Sequence, residues 1–257
     1  MLEKRLLSRV QAESPFPLAV MMVLTEACNL QCPHCYEFKG RPLDQLSTGE
    51  IKDILQQLAD AGTLFINFTG GEPSLRPDLV EIVRAAGALR FSISLKTNGT
   101  LFSPRDVEAL WQAGLSKLQV SLYSDDPALH DDFVKLPGAF AKTTESLKRF
   151  RALGGIAHAG IIAMNWNVHR VPALLDLCER NGWTYGVDLR ICPALDGDSA
   201  PVSFQISDEQ LEKMLDDKRL FDASLLGEIP PIPLDSQVCG AGVNAVVIRP
   251  DGEVVPC

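Results

Sequence analysis

The sequence predicts an α/β protein built as a partial (β/α)6, TIM-like barrel. Three observations support this fold: six short β-rich runs recur along the chain, a helical pattern follows each run except the first, where a loop intervenes, and polar and glycine residues gather where the runs end. Six strand–helix units are complete by about residue 217, whereas a closed eight-unit barrel takes about 250 residues. We therefore expect an N-terminal segment at 1–17, an open barrel at 18–217, and a further extension that begins within 218–257.

The six predicted strands alternate with helices, which favours parallel pairing through right-handed crossovers. A loop precedes the first helix, whose start is marked by the capping pair Ser47 and Glu50 and whose end is marked by Gly62. Ser103 before Pro104 is typical of another helix start. The strands are expected at 18–25, 64–69, 91–97, 118–123, 156–164 and 185–191.

Composition limits the classes of protein to which this chain can belong. Its 257 residues are 46% hydrophobic and carry a formal charge of −9. That excludes a disordered or collagen-like chain and disfavours nucleic acid as a partner. No apolar run approaches the roughly 20 residues of a membrane helix, and the N-terminus lacks a signal-peptide core. We expect a cytoplasmic protein with no membrane partner.

Unusual residues follow the predicted strands at the ends that share one face of a parallel barrel. They are Cys28 after the first strand, Gly70, Gly71, Glu72 and Pro73 after the second, Asn98 after the third, Ser121 in the fourth, and Arg190 in the sixth. This face carries the active site of a (β/α) barrel. We expect one of Asp188 and Arg190 to point inward, and choose Arg190 because it could hold a carboxylate.

Three of the seven cysteines fall within eight residues, as Cys28, Cys32 and Cys35 in the spacing C-x3-C-x2-C. In a reducing compartment such clusters indicate metal or redox chemistry. Three thiolates can hold three irons of a [4Fe–4S] cluster and leave the fourth iron open. The alternative is a zinc site, with His34 or a distant cysteine as the fourth ligand.

The sequence resembles the radical S-adenosylmethionine (SAM) superfamily. The resemblance covers about residues 18–200 and depends on the segment 25–36, Thr-Glu-Ala-Cys-Asn-Leu-Gln-Cys-Pro-His-Cys-Tyr, together with Gly-Gly-Glu-Pro at 70–73. It implies that Cys28, Cys32 and Cys35 bind a [4Fe–4S] cluster whose open iron is chelated by SAM. It also implies that the SAM-binding residues are Tyr36, Gly70, Gly71, Glu72, Pro73, Asn98, Ser121 and Arg190.

Within that resemblance each residue has a role and a structural alternative. Gly70, Gly71 and Glu72 would receive the amino group of SAM, although a glycine pair is also a common turn and a lone glutamate is commonly solvated. Tyr36 would lie beside the adenine, and Asn98 and Ser121 would contact the ribose or the carboxylate. The structural alternatives are a turn for Asn98 before Gly99 and an ordinary strand position for Ser121. No protein side chain is assigned as catalytic.

Four further residues near the predicted face are expected to be mainly structural. We expect packing roles for His34 and for Cys178 on a helix, and a helix-start role for Asp126. Cys192 ends the last strand on the active face, where a ligand or hydrogen-donor role is the alternative to a structural one.

The C-terminal region resembles the opening of the SPASM or twitch extension of radical SAM peptide-modifying enzymes. Cys239 and Cys257 stand in the pattern C-x12-G-x4-C, and the residues between them read as a hairpin with its turn at Asp251 and Gly252. The resemblance implies one or two auxiliary Fe–S clusters, and it implies that both cysteines bind the same one. A zinc pair and two unrelated thiols are the alternatives. Since two ligands do not close a four-ligand site, we expect the natural chain to continue past Cys257.

These features lead to a predicted activity, which is reductive cleavage of SAM and abstraction of hydrogen from a peptide or protein side chain. The alternatives are an enzyme of haem-type cofactor biosynthesis or sulfatase maturation, and a non-enzymatic Fe–S or zinc redox sensor. About seventeen residues precede the first strand, too few for a leader-recognition domain. The expected partners are therefore a separate leader-binding protein that presents the peptide, and an electron donor such as ferredoxin or flavodoxin.

Overall fold

A computed structural model describes residues 16–36, 45–220, 239 and 241–257. Its eight strands form one sheet in the order β6-β5-β4-β3-β2-β1-β7-β8, and the sheet stays open. The strands are β1 Ala19–Val23, β2 Phe65–Thr69, β3 Ser92–Thr97, β4 Leu115–Ser121, β5 Ile156–Ile162, β6 Thr184–Asp188, β7 Ala245–Ile248 and β8 Val254–Val255. Strands β1 to β6 pair in parallel with their sequence neighbours, so the predicted partial barrel is confirmed.

Helices connect the strands along the outside of the sheet. They are α1 Thr48–Ala61, α2 Leu79–Ala88, α3 Pro104–Gln112, α4 Pro127–Val134, α5 Ala139–Ala152, α6 Val171–Asn181 and α7 Asp208–Leu215. The predicted capping box is present, because Ser47 accepts from the backbone N–H of Glu50 and the Glu50 carboxylate accepts in return. Among the described residues, every helix lacks the length and apolar character that a bilayer span requires.

The two faces of the sheet have different chemistry. Side chains that face the helices form the hydrophobic core, as Leu118 and Val120 of β4 do with no measurable exposure. The alternating residues Gln119 and Ser121 of the same strand line the interior of the barrel. The concave face of the sheet therefore keeps polar groups, while the helices cover its apolar face.

The C-terminal hairpin is confirmed, but its position differs from the sequence-based expectation. Strands β7 and β8 pair antiparallel, and the backbone N–H of Gly252 donates to the carbonyl of Arg249 at 3.0 Å in the turn. Strand β7 also pairs in parallel with β1, so the hairpin extends the barrel sheet beyond the six strands predicted. The proline-rich connection at 229–233 lies outside the described residues.

Removing a core side chain should destabilise the sheet that carries the site. Leu118→Ala should lower the free energy of unfolding by about 2–5 kcal/mol, because it leaves a cavity beneath β4. Leu129→Ala, at a side chain that is 41% exposed, is the matched control and should change it little. Urea denaturation followed by circular dichroism measures both variants. Equal losses in the two would contradict the described core.

Candidate functional site

A cavity of about 1660 Å³ opens where strands β1 to β6 end. Most of the site residues predicted from the sequence line it, namely Cys28, Cys32, Cys35, Tyr36, Gly70, Gly71, Asn98, Ser121, Arg190 and Cys192. These residues come from loops or strand ends that are up to 164 positions apart (192 − 28 = 164). The expectation that chemistry gathers at the carboxyl ends of the strands is therefore supported by the fold itself.

The cysteine loop, residues 24–36, supplies three thiols to this cavity. The backbone N–H of Leu30 donates to Cys28 Sγ at 3.4 Å, and a turn joins Cys35 N–H to the carbonyl of Cys32 at 3.2 Å. Within the described ranges, no three His, Cys, Asp or Glu side chains are arranged to hold a single metal ion. A [4Fe–4S] cluster needs one thiolate per iron rather than three thiolates on one ion. The three cysteines fit that group by ligand type and by the cavity they share.

The two glycines after β2 lie directly against the cysteine loop. Gly71 N–H donates to the carbonyl of Thr25 at 2.8 Å, and Glu72 N–H donates to the carbonyl of Ala27 at 2.7 Å. A Cβ on Gly70 would overlap the carbonyl oxygen of Thr25, and one on Gly71 would overlap that of Ala27. Both positions therefore require glycine for the contact between the two loops, in addition to any contact with SAM.

Glu72 is completely buried and does not line the cavity. Its carboxylate accepts hydrogen bonds from the backbone and hydroxyl of Ser74, from Thr97 Oγ1 at 2.6 Å, and from Asn98 N–H at 2.7 Å. Pro73 is also buried and begins the short turn Pro73–Leu75. The structure thus gives Glu72 an internal role in fixing the end of β3, and its contact with the amino group of SAM stays a prediction.

Asn98 connects the end of β3 to the cysteine loop. Its Nδ2 donates to Asn29 Oδ1 at 2.8 Å, and its Oδ1 accepts from the backbone and hydroxyl of Thr100. Asn29 Nδ2 completes the ring by donating to Thr100 Oγ1 at 3.0 Å. The sequence analysis did not select Asn29 or Thr100. The position of Asn29 inside the cysteine motif was the one signal that could have indicated it.

Aromatic side chains form one wall of the cavity. The ring of His34 lies 4.9 Å from that of Tyr123 and 5.1 Å from that of Phe133, which agrees with the predicted packing role. Burial raises the pKa of Tyr123 well above its ordinary value, and the nearby thiols of Cys32, Cys35 and Cys28 add to that shift. All three cysteines and Tyr123 line the same cavity.

The end of β6 corrects one expectation about side-chain direction. Asp188 and Arg190 both line the cavity, because residues two apart share one side of the chain. Strand β6 ends at Asp188, whose carboxylate accepts from Arg190 N–H at 3.0 Å. Arg190 lines the cavity as expected, and the expectation that Asp188 faces the opposite way was wrong. Cys192 is exposed at the rim of the same cavity.

Two structural expectations near the site agree with the described contacts. Cys178 is buried in the core, and burial raises the pKa of its thiol to about 12. Asp126 caps α4 by accepting from Ala128 N–H at 2.9 Å. Neither residue lines the cavity.

The two C-terminal cysteines, Cys239 and Cys257, are exposed and lie at either end of the hairpin region. A Cβ on Gly242 would lie 3.5 Å from Cβ of Pro256, so the segments that carry the two thiols approach each other. The hairpin is joined to the cysteine loop by an ion pair of 3.3 Å between Arg249 and Glu26. An auxiliary Fe–S cluster on Cys239 and Cys257 stays a prediction.

The family model described as the Radical SAM superfamily matches residues 22–178, and this chain belongs to that superfamily. Members of the superfamily use a [4Fe–4S] cluster and SAM, which are the groups that the cysteine loop and the cavity were predicted to bind.

Individual relatives include enzymes named as peptide modifiers. A PqqA peptide cyclase of Rhodopseudomonas palustris is 35% identical over 63% of this chain and 43% of its own length. A mycofactocin maturase MftC of Mycobacterium ulcerans is 28% identical over 98% of this chain and 71% of its own length. Streptococcus suis SuiB bound to SAM shares the fold with a TM-score of 0.76 at 18% identity, over 99% of this chain and 64% of that one. The chain thus spans less than half of the peptide cyclase that it matches.

Replacing the second glycine should disturb the cysteine loop. Gly71→Ala forces a Cβ against the carbonyls of Glu26 and Ala27, which should cost about 1–3 kcal/mol of folding free energy and reduce the iron bound after reconstitution. Gly49→Ala, where the nearest atom is Ser47 Oγ at 3.8 Å, is the matched control and should bind iron normally. Iron and sulfide assays and thermal melts provide the readouts. Full iron content in Gly71→Ala would show that the loop contact does not matter.

Glu72→Gln tests whether the buried carboxylate has the internal role seen here. The two carboxylate oxygens now accept from the hydroxyl of Thr97 and from the backbone N–H of Asn98. An amide NH₂ in place of one oxygen is itself a donor and leaves one of these groups without an acceptor. The cluster-free protein should therefore lose about 1–3 kcal/mol of stability. Glu81→Gln, at an exposed carboxylate, is the control. Chemical denaturation without SAM is the measurement. Unchanged stability would contradict the internal role of the Glu72 carboxylate.

Proposed function

We propose that this chain is a radical SAM enzyme that modifies a side chain of a peptide or protein. The observation that carries the proposal is the cavity, in which the three thiols of one loop meet the ends of six parallel strands. Superfamily membership supports the reaction type. The relatives named PqqA peptide cyclase and mycofactocin maturase support the substrate class.

In this proposal the protein holds and orients its cofactors. Cys28, Cys32 and Cys35 would each bind one iron of a [4Fe–4S] cluster, which leaves one iron for SAM. When bound, the cluster and SAM supply a 5′-deoxyadenosyl radical for hydrogen abstraction. Gly70 and Gly71 present backbone to the cavity beside the cysteine loop, where the amino group of SAM would bind.

Other cavity residues would position the remaining parts of SAM and the substrate. Tyr36, which is 50% exposed, would lie beside the adenine, and Asn98 and Ser121 would contact the ribose or the carboxylate. The buried ring of Tyr123, which packs against Phe133, would exclude water from the reacting groups.

The substrate and the electron source come from outside the chain in this proposal. A separate small protein would present the leader of the peptide, and ferredoxin or flavodoxin would supply the electron in the cytoplasm. Purification of the tagged chain from its native host separates this proposal from a cofactor-pathway enzyme. A peptide-binding partner should be recovered with the chain, whereas recovery of a tetrapyrrole precursor would favour the alternative.

Cleavage of SAM tests the proposed reaction directly. Protein purified without oxygen, reconstituted with iron and sulfide, reduced and given SAM should form 5′-deoxyadenosine. Cys32→Ala should abolish the product because it removes one cluster ligand, whereas Cys178→Ala, at a buried thiol that does not line the cavity, should retain it. A reconstituted cluster without 5′-deoxyadenosine would contradict the proposal and favour a redox or metal-binding role.

A further inference from the structure

Below the predicted SAM-binding residues, polar side chains cross the interior of the barrel in one row, here called the barrel floor. It consists of Lys96 on β3, Gln119 on β4 and His158 on β5, which all line the cavity. In the sheet register Lys96 pairs with Gln119, and Gln119 pairs with His158. The backbones of neighbouring members are therefore about 4.8 Å apart, which is the spacing between paired strands. Ser121 lies two residues beyond Gln119 on β4, and is therefore about 6.6 Å nearer the end of the strand than the barrel floor is.

Glycines on the next strands keep this floor open. A Cβ on Gly160 would lie 3.0 Å from Gln119 Nε2, and a Cβ on Gly186 would lie 3.2 Å from His158 Nε2. The side chains of Gln119 and His158 therefore lie over backbone that carries no side chain. The space above them is available to a ligand group from the cavity.

The ammonium group of Lys96 has no hydrogen-bond or ion-pair partner within 4.0 Å among the residues that the structure describes. Burial lowers its pKa, and Asp188 opposes that shift from a longer distance. A second lysine, Lys117, adds positive charge nearby, while the Asp188 carboxylate already accepts from Arg190 N–H. A half-buried cation without a partner is unfavourable, so the site is suited to an anion.

His158 supplies a different group to the same floor. Its Nδ1 lies 2.9 Å from Thr184 Oγ1, and Thr184 in turn donates to the carbonyl of Ala157 at 3.3 Å. In the tautomer that donates from Nδ1 to Thr184 Oγ1, Nε2 is left as an acceptor. Burial, followed by the charges of Lys117 and Lys96, lowers the pKa of His158 to about 4, so the ring is neutral at pH 7. The ammonium of Lys96 and the amide N–H of Gln119 can donate to a carboxylate, and the ring of His158 can accept from a peptide N–H next to that carboxylate.

We propose that the barrel floor binds a carboxylate of the peptide substrate, with Lys96 and Gln119 as donors and His158 as the acceptor for a neighbouring N–H. The carboxylate can belong to an acidic side chain or to the C-terminus, and it anchors the residue to be modified beneath the cysteine loop. This inference rests on the proposed function, because it names the substrate group that the same cavity takes.

Binding of small capped amino acids to the reconstituted full chain, saturated with SAM, tests the floor. The probes are Nα-acetyl-glutamate amide with a side-chain carboxylate, Nα-acetyl-alanine with a C-terminal carboxylate, and Nα-acetyl-glutamine amide with neither. Ligand-observed NMR should show at least one carboxylate probe bound more tightly than the glutamine probe. The preferred carboxylate identifies its source.

Variants assign that binding to the lysine. Lys96→Met should weaken the preferred carboxylate probe about tenfold or more, since a charge-assisted hydrogen bond is lost, and Lys96→Arg should retain part of the affinity. Lys148→Met, at an exposed lysine on α5, is the matched control and should bind like the unmodified protein. Equal binding to Lys96→Met, or no preference for a carboxylate by the SAM-saturated protein, would each overturn the proposal.

Stability separates a ligand-binding lysine from a structural one. Lys96→Met should melt at the same temperature or higher, because it removes a half-buried charge without a partner. A lower melting temperature would give Lys96 a structural role and overturn the proposal. Probe affinity is measured without turnover, so it stays readable even if no 5′-deoxyadenosine forms. Conversely, if 5′-deoxyadenosine forms but the protein shows no preference for a carboxylate probe, the carboxylate site on the barrel floor is wrong and the proposed function stands.

Discussion

The site depends on the contact between the cysteine loop and the backbone that follows β2. Strands β1 and β2 pair in parallel, and hydrogen bonds from Gly71 and Glu72 to the carbonyls of Thr25 and Ala27 extend that contact past the strand ends. The approach is so close that a side chain at Gly70 or Gly71 would overlap the opposite backbone. The loop that carries the three thiols is therefore held against the end of the sheet by backbone contacts.

Buried polar groups extend this contact to the rest of the cavity. Glu72 fixes the backbone of Asn98, and Asn98 reaches back to Asn29 in the cysteine loop. Arg76 donates to the carbonyl of Leu24, where the loop begins, at 3.2 Å. Because such groups are costly when they lose a partner, the arrangement sets a single geometry for the loop before any cofactor binds.

Local patterns in the sequence were enough to predict the six barrel strands, the capped helices, the hairpin and the residues that meet in the cavity. They were not enough where distant parts of the chain pair. Strand β7 joins β1 across more than two hundred residues, and a four-residue strand carries no signal of its partner. The direction of Glu72 into the protein depends on donors from Ser74 and Thr97, and Lys96 on the barrel floor reads in sequence as an ordinary exposed strand position.

The most direct test of the account is electron paramagnetic resonance of the reduced, reconstituted protein with and without SAM. The Cys239→Ala/Cys257→Ala double variant removes the predicted auxiliary ligands, so that the signal reports the loop of Cys28, Cys32 and Cys35 alone. We predict one reduced [4Fe–4S] signal that changes when SAM is added, because SAM binds the iron that the loop leaves open. A signal that SAM leaves unchanged, or a protein that binds zinc in place of iron, would contradict the account.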